Sequence, residues 1–516
     1  MAVSDFLERG ALVDPDGVCM VMGERQYRYR EVRSLARRIA NALLTAGLGP
    51  GRHAAILCGN DAVGFACSFG IMRAGLAYVP MDFRNSVDDN AKILDFGDAD
   101  ALFFQAEYAA QVRTLRSRLP RLQLCICLDA ELPGFASLAQ WCAGAPDTEP
   151  PVEVALDATA WLQTGSGTSG DFKMAMMTHR GYHAFAAYSL LWLPDPAPVM
   201  LVAAPITHAA GGLAYPVLAR GGRLVLIDRP DPGAILEAIE RHRITQLFLP
   251  PTVIYRLMAH PDVRRRDLSS LRYLAFSAAP MAVTKLREAV ALFGPVIAQG
   301  YGQTEALGIT CMRPDELLDA DGRVMPDERL AACGRPALPF CRVVVVSDDG
   351  AILPPGATGE ICVRGDQVMK GYYRNEAATR AAIVDGWLHT GDIGRFDEAG
   401  YLHIVDRRKD MIISGGFNVY SSEVEQALAA HPAVHEAAVI GVPDDDWGEA
   451  VRAVVVKRPA TAVTTAELIA WCKQRLGSVK SPKAIDFVDE LPRSQRGKIL
   501  KRVLRDPHWA GRDRQV

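Results

Sequence analysis

Gln163-Thr164-Gly165-Ser166-Gly167-Thr168-Ser169-Gly170-Asp171-Phe172-Lys173-Met174 is the stretch from which the rest of the chain is read. Serine and threonine alternate with glycine between an apolar run, Ala158–Leu162, and a lysine. Such a run leaves many backbone N–H groups free to point one way. Glycine lets the backbone approach a ligand closely, the hydroxyls add donors, and Lys173 can neutralise a polyphosphate tail, so the stretch reads as a phosphate cradle. A flexible Gly/Ser surface loop is the alternative. It is not a Walker loop, because no Gly-Lys-Ser/Thr closes it.

Around this loop the chain alternates between helical and strand patterns. Val32, Leu35, Ile39 and Leu43 recur at helical spacing, Gly47 follows, and His53–Cys58 reads as a strand. Short apolar runs at 199–203, 223–227, 246–249, 272–276 and 295–299 are separated by helix-like stretches such as 232–242 and 281–293. This alternation predicts α/β layers with largely parallel sheets. After about residue 333, Arg342–Val346, Glu360–Val363 and Tyr401–Val405 read as strands joined by Gly/Pro/Asp turns without intervening helices, a β-rich subdomain. Beyond Arg407 a small α+β unit follows: helices at Ser422–Ala430 and Ala466–Leu476, strands at Ala437–Gly441, Val451–Val456 and Ala484–Val488. The expected division is 1–408 for the large N-terminal domain, with the β-rich part at about 333–408, and 409–516 for a small C-terminal domain.

Totals exclude several classes. A chain of 516 residues exceeds one hydrophobic core, and 49% hydrophobic with 23% charged residues is an ordinary globular composition. The net charge of −3 gives no basic excess for nucleic acid. The basic flank Arg493, Arg496, Lys501, Arg502 and Arg505 reads as a solvated rim rather than a nucleic-acid site. Eleven scattered cysteines do not make a disulfide framework; Cys125 and Cys127 lie in an apolar run and read as buried free thiols of a cytoplasmic protein. The acidic N-terminus argues against a signal peptide. Val199–Ala219 lacks formal charge over a membrane-spanning length, but Pro205, His208, Gly211-Gly212 and Pro216 break it, so a strand, a loop and a second element are expected.

Further constellations carry chemistry. Tyr301-Gly302-Gln303-Thr304-Glu305 follows an expected strand ending in Gln299 and combines an aromatic face, a turn, a hydroxyl and a carboxylate, which suits a purine, a phosphate and a metal. Ser277-Ala278-Ala279-Pro280 ends another strand with small residues that would let a flat ring slide along backbone. In Thr390-Gly391-Asp392 the carboxylate can accept from two ribose hydroxyls, or serve only a turn. Gly497-Lys498 puts a lysine on a polar loop, and Pro205-Ile206-Thr207-His208 an imidazole after an apolar strand.

Taken together and in this order, these pieces resemble the adenylate-forming superfamily: acyl- and aryl-CoA synthetases, nonribosomal peptide adenylation domains and beetle luciferases. The resemblance runs from Tyr27–Glu31 and Arg73–Pro80 to Gly497-Lys498-Ile499. It implies an ATP-dependent acid–thiol ligase using ATP, Mg²⁺ and coenzyme A on a small carboxylic acid, with no nucleic acid and no membrane span, and a homodimer among the family's habits. By the same resemblance Ser166, Gly167, Thr168, Ser169, Gly170 and Lys173 hold the β- and γ-phosphates. Ala278, Ala279, Pro280 and Tyr301 wall the adenine slot, and Gln299, Gly300, Gly302 and Gln303 are further nucleotide-binding positions. Thr304 meets the α-phosphate, Glu305 the Mg²⁺, Asp392 the ribose and Arg407 the nucleotide. His208 lies beside the acyl carboxylate, with Gly211, Gly302 and Leu307 in the acyl pocket. Gly415 and Gly416 let pantetheine pass, Lys409 is the hinge, and Lys498 is the mobile lysine of adenylation.

Phe172 stands where the family has proline before the loop lysine, and Met174 where it has glycine after it; both are expected to stiffen or bulk the loop's far limb. No Asp for an amino acid's ammonium occurs near Pro205–His208, and small residues line the expected pocket, so a fatty or aryl acid is implied. With no carrier-like segment after Lys498, free coenzyme A is the expected acceptor. Loading of an acyl-carrier protein is the nearest rival; a non-catalytic acyl- or nucleotide-binding relative is the rival of another class, and it would not need Glu305, Asp392 and Lys498 together.

Overall fold

The computed structural model describes residues 2–165, 172–228, 230–336, 340–493 and 499–510. Two compact units emerge: Met1–Gly167, Asp171–Arg342 and Val363–Leu388 make the first, Val343–Cys362 and His389–Val516 the second.

The first unit is built on two sheets. One has seven strands, in the order Ala136–Ser137, Leu124–Cys127, Ala99–Phe104, His53–Leu57, Ala77–Pro80, Thr159–Thr164, Met174–Thr178. All its pairs are parallel except the last, which is antiparallel and flanks the phosphate-loop stretch. Fully buried runs such as His53–Leu57 explain the parallel pairing, since helices cover both faces of such a sheet. The nine-stranded sheet is parallel through Ile297–Gln303, Tyr273–Phe276, Gln246–Phe248, Val199–Val202, Arg223–Leu226 and Val18–Met22, with antiparallel strands at both edges. The expected strands and the helices Pro232–His242 and Val283–Phe293 all form.

Val199–Ala219 is a strand, a turn and the helix Ala209–Ala219 with Pro216 inside it. Among the described residues no helix is long and apolar enough to cross a membrane. Tyr215 of that helix accepts the Trp161 indole N–H at 3.1 Å, and Tyr78, Tyr182 and Phe69 pack around the pair. This aromatic core ties the strand entering the phosphate loop to the helix behind His208. A buried Trp N–H needs such a partner, and both rings are essentially unexposed.

Two local expectations change. Tyr301–Gln303 is not a turn after a strand: the strand runs through Ile297–Gln303 and returns in a hairpin as Ala306–Met312. Gly300 and Gly302 interrupt the apolar alternation that would have signalled the extension. A seven-residue helix, Glu376–Ala382, also stands in the region read as helix-free. Asn375 caps it, accepting from Ala378 N at 2.9 Å, but it buries no residue and so leaves no apolar stripe in the sequence.

The second unit contains a mixed sheet around Gly448–Lys457, which pairs antiparallel with Val434–Asp444 and parallel with Ala484–Val488. Helices Ser421–Ala429 and Thr465–Lys480 pack on it through Val424, Leu428, Leu468 and Cys472. Leu402–Arg407 pairs with Trp387–Phe396 in a separate five-stranded sheet.

Candidate active site

In the nine-stranded sheet, three candidate segments leave the carboxyl ends of strands in a parallel array, the usual place for ligands in open α/β sheets. The first is Pro205–His208, after Val199–Val202. Asn60 pins it: its Oδ1 accepts from Ile206 N at 2.8 Å while its Nδ2 donates to the Ile227 carbonyl at 3.0 Å. His208 caps the helix Ala209–Ala219, and its Nδ1 lies 2.9 Å from Thr207 Oγ1. Gly211 closes the turn so tightly that a Cβ there would lie 2.1 Å from the Ile206 carbonyl oxygen. Asp82, forked to Arg84 at 2.8 and 2.7 Å, faces the same imidazole electrostatically. Burial raises its pKa, but the Arg84 bonds and charge, with His208 adding to them, hold it below the usual carboxylate value.

The second segment is Ser277–Pro280, after Tyr273–Phe276. Ala278 holds φ +72, a left-handed conformation that costs a non-glycine residue roughly 1–2 kcal/mol. Strain of this kind collects at binding sites. The third is the hairpin: Gln299 and Gly300 pair with Met312 and Cys311, Tyr301 with Thr310, and Gln303 with Ala306, leaving Thr304-Glu305 at its tip. Leu307 follows, and its backbone N–H is bonded to the Gln367 carbonyl at 3.3 Å.

A strip the sequence reading passed over, Val368–Tyr373, joins two of these parts. Its backbone bonds Glu305 (Met369 N to Glu305 O, 2.8 Å) and one edge of the strand leaving the loop (Lys370 N to Met176 O, 2.8 Å; Tyr373 N to Met174 O, 2.8 Å). Tyr372 then donates its hydroxyl to Glu305 Oε1 at 2.9 Å, while the Lys173 ammonium lies 5.4 Å from the centre of its ring. Burial first, and the Glu305 charge second, push the Tyr372 hydroxyl well above its ordinary pKa, so it stays a donor. The signal in the sequence was Gly371-Tyr372-Tyr373, an aromatic pair after glycine. Tyr372→Phe removes one charge-assisted bond from Glu305; pyrophosphate-exchange kinetics are expected to slow about 10-fold, with the melting temperature little changed.

Of the loop itself, Ser166, Gly167, Thr168, Ser169 and Gly170 lie outside the described residues, as does Lys498. The two departures at its far limb do different things. Met174 is the first residue of its strand, fully buried in the core of the seven-stranded sheet. Its bulk therefore packs away from the loop. Phe172 is 40% exposed and meets Phe96 edge-on at 5.2 Å, with Tyr373 beyond Phe96.

In the second unit Asp392 and Arg407 are paired across strands, with Arg407 Nε 3.5 Å from Asp392 Oδ1. Glu360, not anticipated from sequence, shapes the turn before Asp392: it accepts from Gly391 N at 3.0 Å and lies 2.9 Å from both His389 Nδ1 and Arg408 Nη1. Cys362 completes a cluster of metal-ligand types with Glu360 and His389, but the Arg408 guanidinium already engages the carboxylate. Lys409 sits in the short 3₁₀ turn Arg408–Asp410. Gly415 and Gly416 form the left-handed turn between Ile412–Ser414 and Phe417–Val419, where a Cβ on Gly415 would strike the Trp447 ring at 2.4 Å.

The expected solvated rim is corrected in part. Lys501 and Arg505 are half-buried and ion-paired, to Glu425 at 2.7 Å and Asp410 at 3.6 Å, and the more exposed Arg493 pairs with Glu436; Arg502 is exposed as expected, and Arg496 lies outside the described residues. Carboxylates brought in from distant sequence supply the partners, which no local pattern announces.

Known proteins resemble this chain along most of its length. The AMP-binding enzyme family model matches residues 7–373, and the AMP-binding enzyme C-terminal domain model matches 423–498. The chain is 38% identical over 504 residues to a feruloyl-CoA synthase of Amycolatopsis sp, covering 96% of this chain and 97% of that protein. It is 41% identical over 369 residues to the medium/long-chain-fatty-acid–CoA ligase FadD8 of Mycobacterium tuberculosis, covering 70% and 63%. Among solved structures, the amide bond synthetase McbA from Marinactinospora thermotolerans superposes with a TM-score of 0.87 at 32% identity, covering 97% of this chain and 99% of that one. With a family model across most of its length and full-length relatives above 30% identity, this chain belongs to the AMP-binding enzyme family.

Proposed function

We propose that this protein is a carboxylate–CoA ligase whose acid is flat and aromatic. The reaction class follows from the family: the acid and ATP give acyl-AMP and pyrophosphate, and coenzyme A then takes the acyl group. The aromatic preference is carried by Phe185. This ring lies within 3.6 Å of where a Cβ on Gly212 would stand and 2.9 Å of one on Gly308, so it walls the space that the small residues leave between the His208 helix and the hairpin. A slot walled by Phe185 favours a planar ring over a long flexible chain. The end-to-end match to a feruloyl-CoA synthase supports the same reading.

In the mechanism we assign, the carboxylate oxygen attacks the α-phosphorus and pyrophosphate departs. His208 orients the carboxylate, and Thr304 and Lys498 contact the α-phosphate oxygens. Lys173, braced by the Tyr372 ring, meets charge on the leaving pyrophosphate, with the Ser166–Gly170 amides. Glu305, a hard carboxylate donor at the hairpin tip, fits Mg²⁺, which takes one or two protein carboxylates beside substrate phosphates and neutralises their charge. Ala278–Pro280 and Gln299–Gln303 border the adenine, Asp392 and Arg407 hold the ribose side, and Gly415-Gly416 admits pantetheine. The working boundary is 408/409, with Lys409 as hinge. Eleven free, buried cysteines support a reducing, cytoplasmic setting.

An AMP-release screen across aryl and C4–C16 acids, with coenzyme A or an acyl-carrier protein supplied separately, tests this. Aryl acids with coenzyme A are expected to exceed aliphatic acids about 10-fold or more in kcat/KM, and Phe185→Leu to narrow that ratio. Acylation of the carrier protein alone, or a fatty-acid preference, would reverse the assignment.

A further inference from the structure

Helix Lys501–Arg505 begins three residues after Lys498; its first residue is tied to Ser421 and Glu425 and its last to the hinge turn Arg408–Asp410. The Lys501 ammonium is 2.7 Å from Glu425 Oε1 and donates to Ser421 Oγ at 2.7 Å. Ser421, fully buried, spends its own proton on Asp406 Oδ2 at 2.8 Å. An ammonium only donates, so the direction Lys501 to Ser421 to Asp406 is set. At the helix's other end Arg505 donates to the Lys409 carbonyl at 3.2 Å and pairs with Asp410. The Lys501 side chain is 16% exposed. Burial opposes its charge, but Glu425, Asp406 and Asp410 outweigh that and hold it protonated.

The order of these residues along the chain matters. Asp406 precedes Lys409, whereas Ser421, Glu425 and Lys501 follow it. A rotation about Lys409 therefore carries Lys501 and Glu425 together and must break the bond from Ser421 to Asp406. The Lys501–Glu425 pair can hold the start of helix Lys501–Arg505 throughout; the Ser421–Asp406 link exists in only one arrangement.

We propose that Lys501 is a positioning residue for adenylation: it fixes the start of helix Lys501–Arg505, three residues along the chain from Lys498, on Glu425 and, through Ser421, latches it to Asp406 across the hinge. This rests on the roles assigned above to Lys498 and Lys409. The test compares half-reactions in the full-length enzyme, pyrophosphate exchange against thioester formation from supplied acyl-adenylate. Lys501→Met is expected to lower the kcat of exchange about 10-fold or more while KM for ATP and acid stay within about 2-fold, and to change thioester formation less than about 3-fold. Lys501→Arg should restore most of the exchange rate. Ser421→Ala, which keeps the ion pair and serves where Lys501→Met does not fold, should show the same split more mildly. Equal losses in both half-reactions, or unchanged exchange in a folded variant, would overturn the proposal. Lys498→Ala run alongside separates the two levels: retained adenylation there removes the role of Lys498 and the latch with it, whereas its loss beside normal Lys501→Met and Ser421→Ala enzymes overturns the latch alone.

Discussion

Lys498→Ala is expected to slow adenylation about 10²–10³-fold and leave thioester formation from supplied acyl-adenylate nearly intact. The magnitude is that of removing one preorganised donor from developing charge in a water-poor site. The asymmetry is the informative part. In the assigned mechanism Lys498 meets the α-phosphate oxygens while the carboxylate attacks phosphorus and pyrophosphate leaves; in the second step the thiol attacks the acyl carbon and AMP departs with the bridging oxygen, after rotation about Lys409 has withdrawn the lysine. Rapid-quench measurement of both half-reactions with one acid reads the ratio directly. Equal losses would mean that Lys498 supports the fold or a shared binding step instead.

Gly211→Ala is expected to lower kcat/KM about 100-fold through position alone. The added methyl would stand 2.1 Å from the Ile206 carbonyl oxygen, a backbone atom that cannot rotate aside. Relief requires the helix Ala209–Ala219 or the Pro205–His208 turn to shift by about an ångström, and misplacement of that size costs on the order of 10² in rate. His208 caps that helix, so its imidazole moves with it. Overpacking also costs stability, about 1–3 kcal/mol, which a melting curve would register. Asn60→Ala offers a comparison, loosening the same turn by removing its anchor at Ile206 N without adding volume.

How much was legible beforehand depends on the range of the interactions. The α/β class and most strands could be read because buried parallel strands are continuous apolar runs and the helices between them carry an apolar stripe. Glu376–Ala382 escaped because a helix with no buried face writes no stripe. Candidate residues were legible in the same local way: Ser166–Lys173, Tyr301–Glu305, Thr390–Asp392 and Gly497-Lys498 each pack several chemical functions into a few positions. Tyr372 and Glu360 were not, since each acts through partners far away in sequence, Glu305 for the one and Gly391 and Arg408 for the other.

Phe172 and Met174 draw the line most clearly. From sequence they were two bulky residues beside a phosphate loop, with one shared expectation. In the fold they separate, because strand pairing of Thr164 with Met174 turns the methionine into the core, while Phe172, two residues outside the ladder, faces Phe96. Lys501 and Arg505 changed in the same way, from a basic rim to half-buried partners of Glu425 and Asp410. The sequence by itself determined the layered fold, the family and the chemical types at the site, since these depend on patterns within a few residues. Which side chains are buried, paired or braced was decided only by the tertiary structure, because burial and ion pairing are set by neighbours hundreds of residues away as readily as by the next one in line.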